Sequence, residues 1–174
     1  MATNKRDLIA SAQTGSGKTS AYLLPILTIM KTRIINCIGF KEIKKPTVVI
    51  FGPTRELMAQ IYNEVYNLAS KSIICPFVVY GGVHLSTIVT ILKKEVHVLI
   101  GTPGRLEELI RRRIVSLESV EILVLDEADY MLDLGFESDI DYLVKQMPDK
   151  YTRQTIMFSA TFPERVLILA KNVL

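Results

Sequence analysis

Short apolar runs recur along the chain, each closed by small or charged residues and followed by a stretch with helical spacing. Leu8 to Ala10 is the first run and reads as a buried strand, with an apolar helical segment from Ser20 to Met30 after it. Lys31 to Lys45 is mixed, holds four lysines, and is expected to be an exposed connection. Thr47 to Phe51 is a β-branched strand run, and Thr54 can cap the next helix, where Leu57, Ile61, Val65 and Leu68 share one face. Phe77 to Tyr80 predicts a third strand, closed by Gly81 and Gly82. A helix over Leu85 to Lys94 follows, with Ile88, Ile91 and Leu92 toward the core. Val96 to Ile100 predicts a fourth strand, with a helix continuing to about Arg113. Ile122 to Leu125 is the fifth, before a helix with Ile140, Leu143, Val144 and Met147 on one side. Thr155 to Phe158 is the sixth, and an apolar helix from Glu164 to Leu174 closes the chain.

Strands therefore alternate with helices, and the strands are continuous apolar runs rather than alternating ones. Both facts predict an α/β fold with a mostly parallel sheet covered by helices on both faces. Ligands of such sheets sit outside the carboxyl ends of the strands. Every polar motif follows a strand directly, so the motifs are expected along that one rim. No internal repeat and no low-complexity segment interrupts the pattern.

Composition narrows the class. The 174 residues suit one domain, and a hydrophobic content of 49% supports a large core and argues against disorder. A net charge of +3 permits an anionic partner without demanding one. Arg111, Arg112 and Arg113 form a basic cluster that fits a solvated helix end as well as a contact surface. Cys37 and Cys75 lie far apart with no ligand spacing around either, which suits a reducing, intracellular compartment. No run is long enough to span a membrane and no signal peptide opens the chain.

The chemistry concentrates in the loops. Ala12-Gln13-Thr14-Gly15-Ser16-Gly17-Lys18-Thr19 stands between strand and helix, the setting of a phosphate-binding loop. Its glycines let backbone approach a ligand, and the helix start favours an anion. Lys18 would meet the β and γ phosphates, and the Thr19 hydroxyl would meet Mg²⁺. The general pattern opens with Gly, whereas Ala12 stands there. Asp126-Glu127, after Ile-Leu-Val-Leu, supplies the second half of such a site: Asp126 for the metal, Glu127 for a water attacking the γ phosphate. Help of the latter kind contributes roughly 10²–10⁴ in rate. Ser159-Ala160-Thr161 reads on its own as a turn or cap, yet its position would set it beside those carboxylates. Pro53-Thr54-Arg55, Gly81-Gly82 and Thr102-Pro103-Gly104-Arg105 offer backbone N–H groups and two arginines. They suit a sugar-phosphate backbone, or equally ordinary turns with arginines paired to nearby acids.

Taken together, residues 12–19, Pro53 to Leu57, Gly81-Gly82, Thr102 to Arg105, Asp126 to Asp129 and Ser159 to Thr161 closely resemble the N-terminal RecA-like domain of a DEAD-box ATP-dependent RNA helicase. The resemblance runs from about Arg6 to the end, in the family's order, and Ala12 is the family's own form of the loop. Tyr130 to Phe136 and Ser159 to Pro163 look like the Vasa-type branch. The resemblance implies a RecA-like P-loop NTPase fold, with Ala12 to Thr19 binding ATP, Thr19 and Asp126 binding Mg²⁺, and Lys18, Asp126 and Glu127 catalytic. It implies that Asp129, Ser159 and Thr161 couple hydrolysis to strand separation. Pro53, Thr54, Arg55, Gly81, Gly82, Thr102, Pro103, Gly104 and Arg105 would contact RNA backbone without reading sequence.

Two family parts are absent from the sequence. No aromatic-and-glutamine motif stands among the eleven residues before Ala12, and the sequence stops at Leu174, before the family's second RecA-like domain would be expected to begin. The expectation is a fragment with Met1 at an artificial start, which binds ATP weakly, hydrolyses it poorly and does not unwind duplexes alone. The missing arginine finger contributes roughly 10³–10⁵ to turnover in related NTPases. Two other readings stand beside this one. A small-molecule or nucleotide kinase would need an Arg-rich lid, which the sequence lacks. A scaffold without turnover is disfavoured by the presence of Lys18, Thr19, Asp126 and Glu127.

Overall fold

The structure, a computed structural model, describes residues 6–13, 15–36, 45–82, 84–92 and 95–174, with the side chains of 33–36 set aside. Thr14 of the phosphate loop, Lys93 and Lys94 of the third predicted helix, and most of the Lys31 to Lys45 connection lie outside the described residues. Six strands form one sheet: β1 (Leu8–Ser11), β2 (Val48–Phe51), β3 (Pro76–Val79), β4 (Val98–Gly101), β5 (Ile122–Leu125) and β6 (Gln154–Ser159). Their spatial order is β1-β6-β5-β2-β4-β3, and every pairing is parallel.

Strand register places the two layers of core. Val48, Ile50, Val98, Ile100, Ile122, Val124, Ile156 and Phe158 face α1 (Lys18–Asn36) and α2 (Arg55–Ala69). The intervening Val49, Phe51, Leu99, Leu123, Leu125 and Met157 face the other helices: α3 (Leu85–Leu92), α4 (Pro103–Arg111), α5 (Ala128–Asp133), α6 (Glu137–Val144) and α7 (Glu164–Val173). A strand buried on both faces has no polar positions to offer, which is why β2, β4 and β5 read as unbroken apolar runs. The edge strands β1 and β3 are only partly covered, in keeping with their place at the sheet's borders.

Four expectations need correction. α1 runs through residues 31–36, so the first part of the expected connection is helix instead. Leu68 is 38% exposed, because α2 buries Met58, Ile61, Val65 and Ala69 instead. Ile91 is likewise 37% exposed, leaving Ile88 as the buried residue of α3. The segment after β5 is two helices, broken at Gly135, whose φ of +84° no helix accommodates. Thr54 caps α2 as predicted, its Oγ1 accepting from the Leu57 N–H at 3.2 Å. The Arg111–Arg113 cluster is a solvated helix end: Arg111 and Arg112 pair with Glu107 and Glu108 one turn back on α4. Among the described residues, no helix is long and apolar enough to cross a membrane.

Candidate nucleotide site and backbone groove

Because all strands are parallel and in close register, their carboxyl ends form one rim: Ser11 lies beside Ser159, Leu125 beside Met157 and Phe51, and Gly101 beside Phe51 and Val79. Strand order divides that rim. The loops after β1, β6 and β5 hold the phosphate-loop, Ser-Ala-Thr and Asp-Glu residues. The loops after β2, β4 and β3 hold the Arg55, Arg105 and glycine-pair residues.

The first half is built on α1. Gly15 and Gly17 take φ of +83° and +80°, the left-handed region that only glycine enters freely, and the space where a Cβ would stand is open. The chain thereby turns from Ala12 and Gln13 into a helix whose first residue is Lys18. The first-turn N–H groups of a helix have no partner within it, and the dipole there is positive. Lys18 is almost fully buried. Its Nζ lies 2.7 Å from Asp126 Oδ1 and donates to Glu127 Oε1 at 3.3 Å. Burial works against the ammonium, but the two carboxylates outweigh it and hold Lys18 above its usual value.

Asp126 is 0% exposed, delivered by β5 and fixed by its own N–H donating to Phe51 O at 2.9 Å. Burial pushes its carboxyl up, and Lys18 and the Tyr22 hydroxyl pull it back only in part. Tyr22 OH donates to Asp126 Oδ2 at 3.1 Å. Oδ1 is buried and has the ion pair but no aligned hydrogen bond. Glu127 stands at φ +57°, ψ +52°, a left-handed conformation for a residue with a side chain. That strain costs about 1 kcal/mol and turns the chain sharply from β5 into α5.

Asp129 joins β6 to this turn. Its Oδ2 accepts from Thr161 N–H at 2.9 Å and from Thr161 Oγ1 at 2.7 Å. The Asp129 N–H donates to Ser159 Oγ at 3.3 Å, and Ser159 Oγ donates to Thr161 O at 2.7 Å. Burial opposes the Asp129 charge, yet the Thr161 hydroxyl and amide, with Ser159, hold its carboxyl below the usual range.

The second half is a groove of ≈ 550 Å³ lined by Pro53, Thr54, Arg55, Glu56, Gly81, Thr102, Gly104, Arg105, Glu108 and Phe136. Pro103 is buried at the first turn of α4, and Gly82 sits under Arg55. A Cβ at Gly82 would stand 3.2 Å from Arg55 Nη1 and would be strained at its φ of +95°, so the glycine pair is the seat of this guanidinium. Arg105 pairs with Glu108, the paired-arginine alternative left open by the sequence.

The structure thus brings every described candidate residue to one rim, with the two motif sets on adjacent halves. Sequence reasoning missed Tyr22, Glu108 and Phe136. Tyr22 lies one helical turn after Lys18, on the same face of α1, and that i, i+4 spacing was the available signal. Glu108 has the same kind of signal, three residues after Arg105. Phe136 has none, since it arrives from the α5–α6 turn.

As for fit to a metal, a hard divalent ion of magnesium's size takes oxygen ligands, often one or two carboxylates completed by substrate phosphates and water. Among the described residues no cluster of three or more His, Cys, Asp or Glu could enclose a metal. The nearly buried Thr19, and Asp126 with its unaligned Oδ1, are donors of the type that shares an ion with a phosphate.

Comparison with known proteins agrees with this geometry. The chain is 44% identical over 171 residues to a protein named probable ATP-dependent RNA helicase DDX4 from Pelophylax lessonae. It is 45% identical to one of the same name from Homo sapiens and to ATP-dependent RNA helicase DDX4 from Mus musculus. Each match covers 97% of this chain and 24% of the relative, so the chain spans about a quarter of those proteins' length. The DEAD/DEAH box helicase model matches residues 1–169. With a parallel sheet that carries the phosphate loop and Asp126-Glu-Ala-Asp129 on one rim, and a family model matching nearly its whole length, the chain belongs to the DEAD/DEAH box helicase family.

Proposed function

We propose that this chain is the ATP- and RNA-binding N-terminal domain of an ATP-dependent RNA helicase, working with a second RecA-like domain of the same full-length protein. The observation that supports it most is Lys18 held between Asp126 and Glu127 on the same rim as the Arg55 groove. When ATP arrives, its phosphates would displace Lys18 from the carboxylates, and the loop from Ala12 and Gln13 through Thr14, Gly15, Ser16 and Gly17 to Thr19 would wrap them, with the Ala12 N–H staying on Ser159 O and the N–H groups at the start of α1 meeting the phosphates. Mg²⁺, when bound through Thr19 and Asp126, neutralises phosphate charge. Glu127, freed from Lys18, orients the attacking water and accepts its proton. Release of Lys18 and loading of Asp126 act on the same turn that Asp129 ties to Ser159 and Thr161, which is how hydrolysis would reach the rest of the molecule.

RNA lies across Pro53, Thr54, Arg55, Gly81, Gly82, Thr102, Pro103, Gly104 and Arg105, where backbone N–H groups and guanidinium groups meet phosphate oxygens and no base edge is read. Its arrival exchanges the Arg105–Glu108 pair for a phosphate contact. Both substrates are found inside cells, where we place the protein.

The test is ATP hydrolysis by the full-length protein with and without RNA. Lys18→Ala is expected to abolish turnover. Arg55→Ala is expected to weaken RNA binding equally for all sequences and to lower the salt slope by about one. Turnover that survives Lys18→Ala, or that RNA does not stimulate, would refute the reading.

A further inference from the structure

Tyr22 is 1% exposed, packed at a tilt against Phe158 with ring centroids 5.4 Å apart and planes at 41°. The ring's apolar contact with Phe158 needs no hydroxyl, since phenylalanine would fill the same space. A buried phenol needs a partner, and the partner here is Asp126 Oδ2 at 3.1 Å. One helical turn earlier, Lys18 approaches the other oxygen, Oδ1, at 2.7 Å. α1 therefore grips the two oxygens of one carboxylate with two side chains at i and i+4. Thr19 lies beside the same phenol, and Glu64 of α2 faces it with an Oε2 that is buried and has no hydrogen-bond partner among the described residues.

The two grips differ in what happens on nucleotide binding. Under the function proposed above, on which this inference rests, Lys18 leaves Asp126 for the phosphates. A buried carboxylate then keeps one protein partner, Tyr22, at the moment when it must face the metal. We infer that Tyr22 is a positioning residue: its hydroxyl locks Asp126 by Oδ2 so that Oδ1 is presented to the magnesium of the incoming Mg·nucleotide. Such outer partners of a ligating side chain fix its orientation, and losing one lowers metal affinity by about 10- to 100-fold. Since the ion is shared with phosphates, the lower end, about 10-fold, is expected here.

The experiment titrates this chain with a fluorescent ADP analogue, once with excess Mg²⁺ and once in EDTA, for the unaltered chain, Tyr22→Phe and Lys18→Ala. The quantity read is the ratio of the two affinities, the gain due to magnesium. Tyr22→Phe removes one oxygen and keeps the ring, and a thermal melt of the free protein reports its folding. The inference expects unchanged affinity in EDTA and a magnesium gain reduced about 10-fold. Equal losses with and without Mg²⁺ would mean that the hydroxyl only braces the loop, and would overturn it. An unchanged magnesium gain would overturn it while leaving the nucleotide site in place. If the unaltered chain binds no ADP, or Lys18→Ala binds it equally well, the nucleotide reading itself has failed and the inference falls with it.

Discussion

Asp129 gives the sharpest stability prediction, because its carboxylate ties two elements that are distant in sequence. Oδ2 accepts from the Thr161 amide at 2.9 Å and the Thr161 hydroxyl at 2.7 Å, bridging the start of α5 to the end of β6. Asp129→Ala deletes both bonds, together with the local one that Oδ1 accepts from the Tyr130 N–H at 3.1 Å. Hydrogen bonds to a charged group contribute about 1.5–3 kcal/mol when buried. Thr161 is exposed, so water replaces part of each, and about 0.5–1 kcal/mol apiece is the reasonable value. The loss is therefore about 1–2 kcal/mol, which lowers Tm by about 3–6 °C in a domain of this size. Thr161→Val should remove the hydroxyl bond and keep the amide bond, and so cost roughly half as much. In a double-mutant cycle the pair should couple by at least ~0.5 kcal/mol. The direction with pH also follows. A carboxyl held below its usual value contributes stability that is complete above its unfolded pKa of about 4 and is lost as pH falls through the lower folded value. The difference between Asp129→Ala and the parent should shrink accordingly in melts at the acid end. Additive single substitutions, or a difference that grows as pH falls, would refute the reasoning.

Three further outcomes are expected. Asp139 is pushed up to about 6, first by burial and then by the adjacent Glu107 carboxylate, so its ionisation costs stability as pH rises through about 4 to 6. Asp139→Asn should raise Tm by a degree or two at pH 8 and by progressively less as pH falls toward about 4, read by calorimetry. His97 is buried with Nδ1 accepting from the Cys75 N–H at 3.1 Å, and burial lowers its pKa although Glu95 opposes this. The neutral ring is favoured in the fold, so its contribution is present above about 6.5 and is lost as pH falls below that. His97→Asn should flatten that part of a Tm-against-pH curve. Gly82→Ala must hold a side chain at φ +95° and displace Arg55, at a cost of about 1–2 kcal/mol, seen as a Tm lower by several degrees and as weaker RNA binding in fluorescence anisotropy.

Much of this was legible before any coordinates. The unbroken runs over Val48–Phe51 and Ile122–Leu125 read as strands buried on both faces, which placed the motifs that follow them on one rim. Strand order was not legible, because sequence order does not say that β6 inserts between β1 and β5, or β2 between β5 and β4. That order places Ser159 and Asp129 in contact and parts the nucleotide loops from the Arg55 groove. Side chains on a helix were read by period alone, which put Leu68 inside, yet α2 presents Ala69 to the core in its place. Tyr22 was passed over for the same reason, since an aromatic on a core face looks like packing until its hydroxyl is seen at Asp126.

The central claim is that Lys18 and Asp126 are a closed pair which a nucleotide opens. A crystal structure of this chain with Mg·ADP tests it directly. The account predicts the diphosphate between the backbone of Gly15 to Thr19 and a Lys18 ammonium withdrawn from Asp126, with metal density at the vacated oxygen. A diphosphate bound elsewhere, with the 2.7 Å Lys18–Asp126 contact intact, would contradict it.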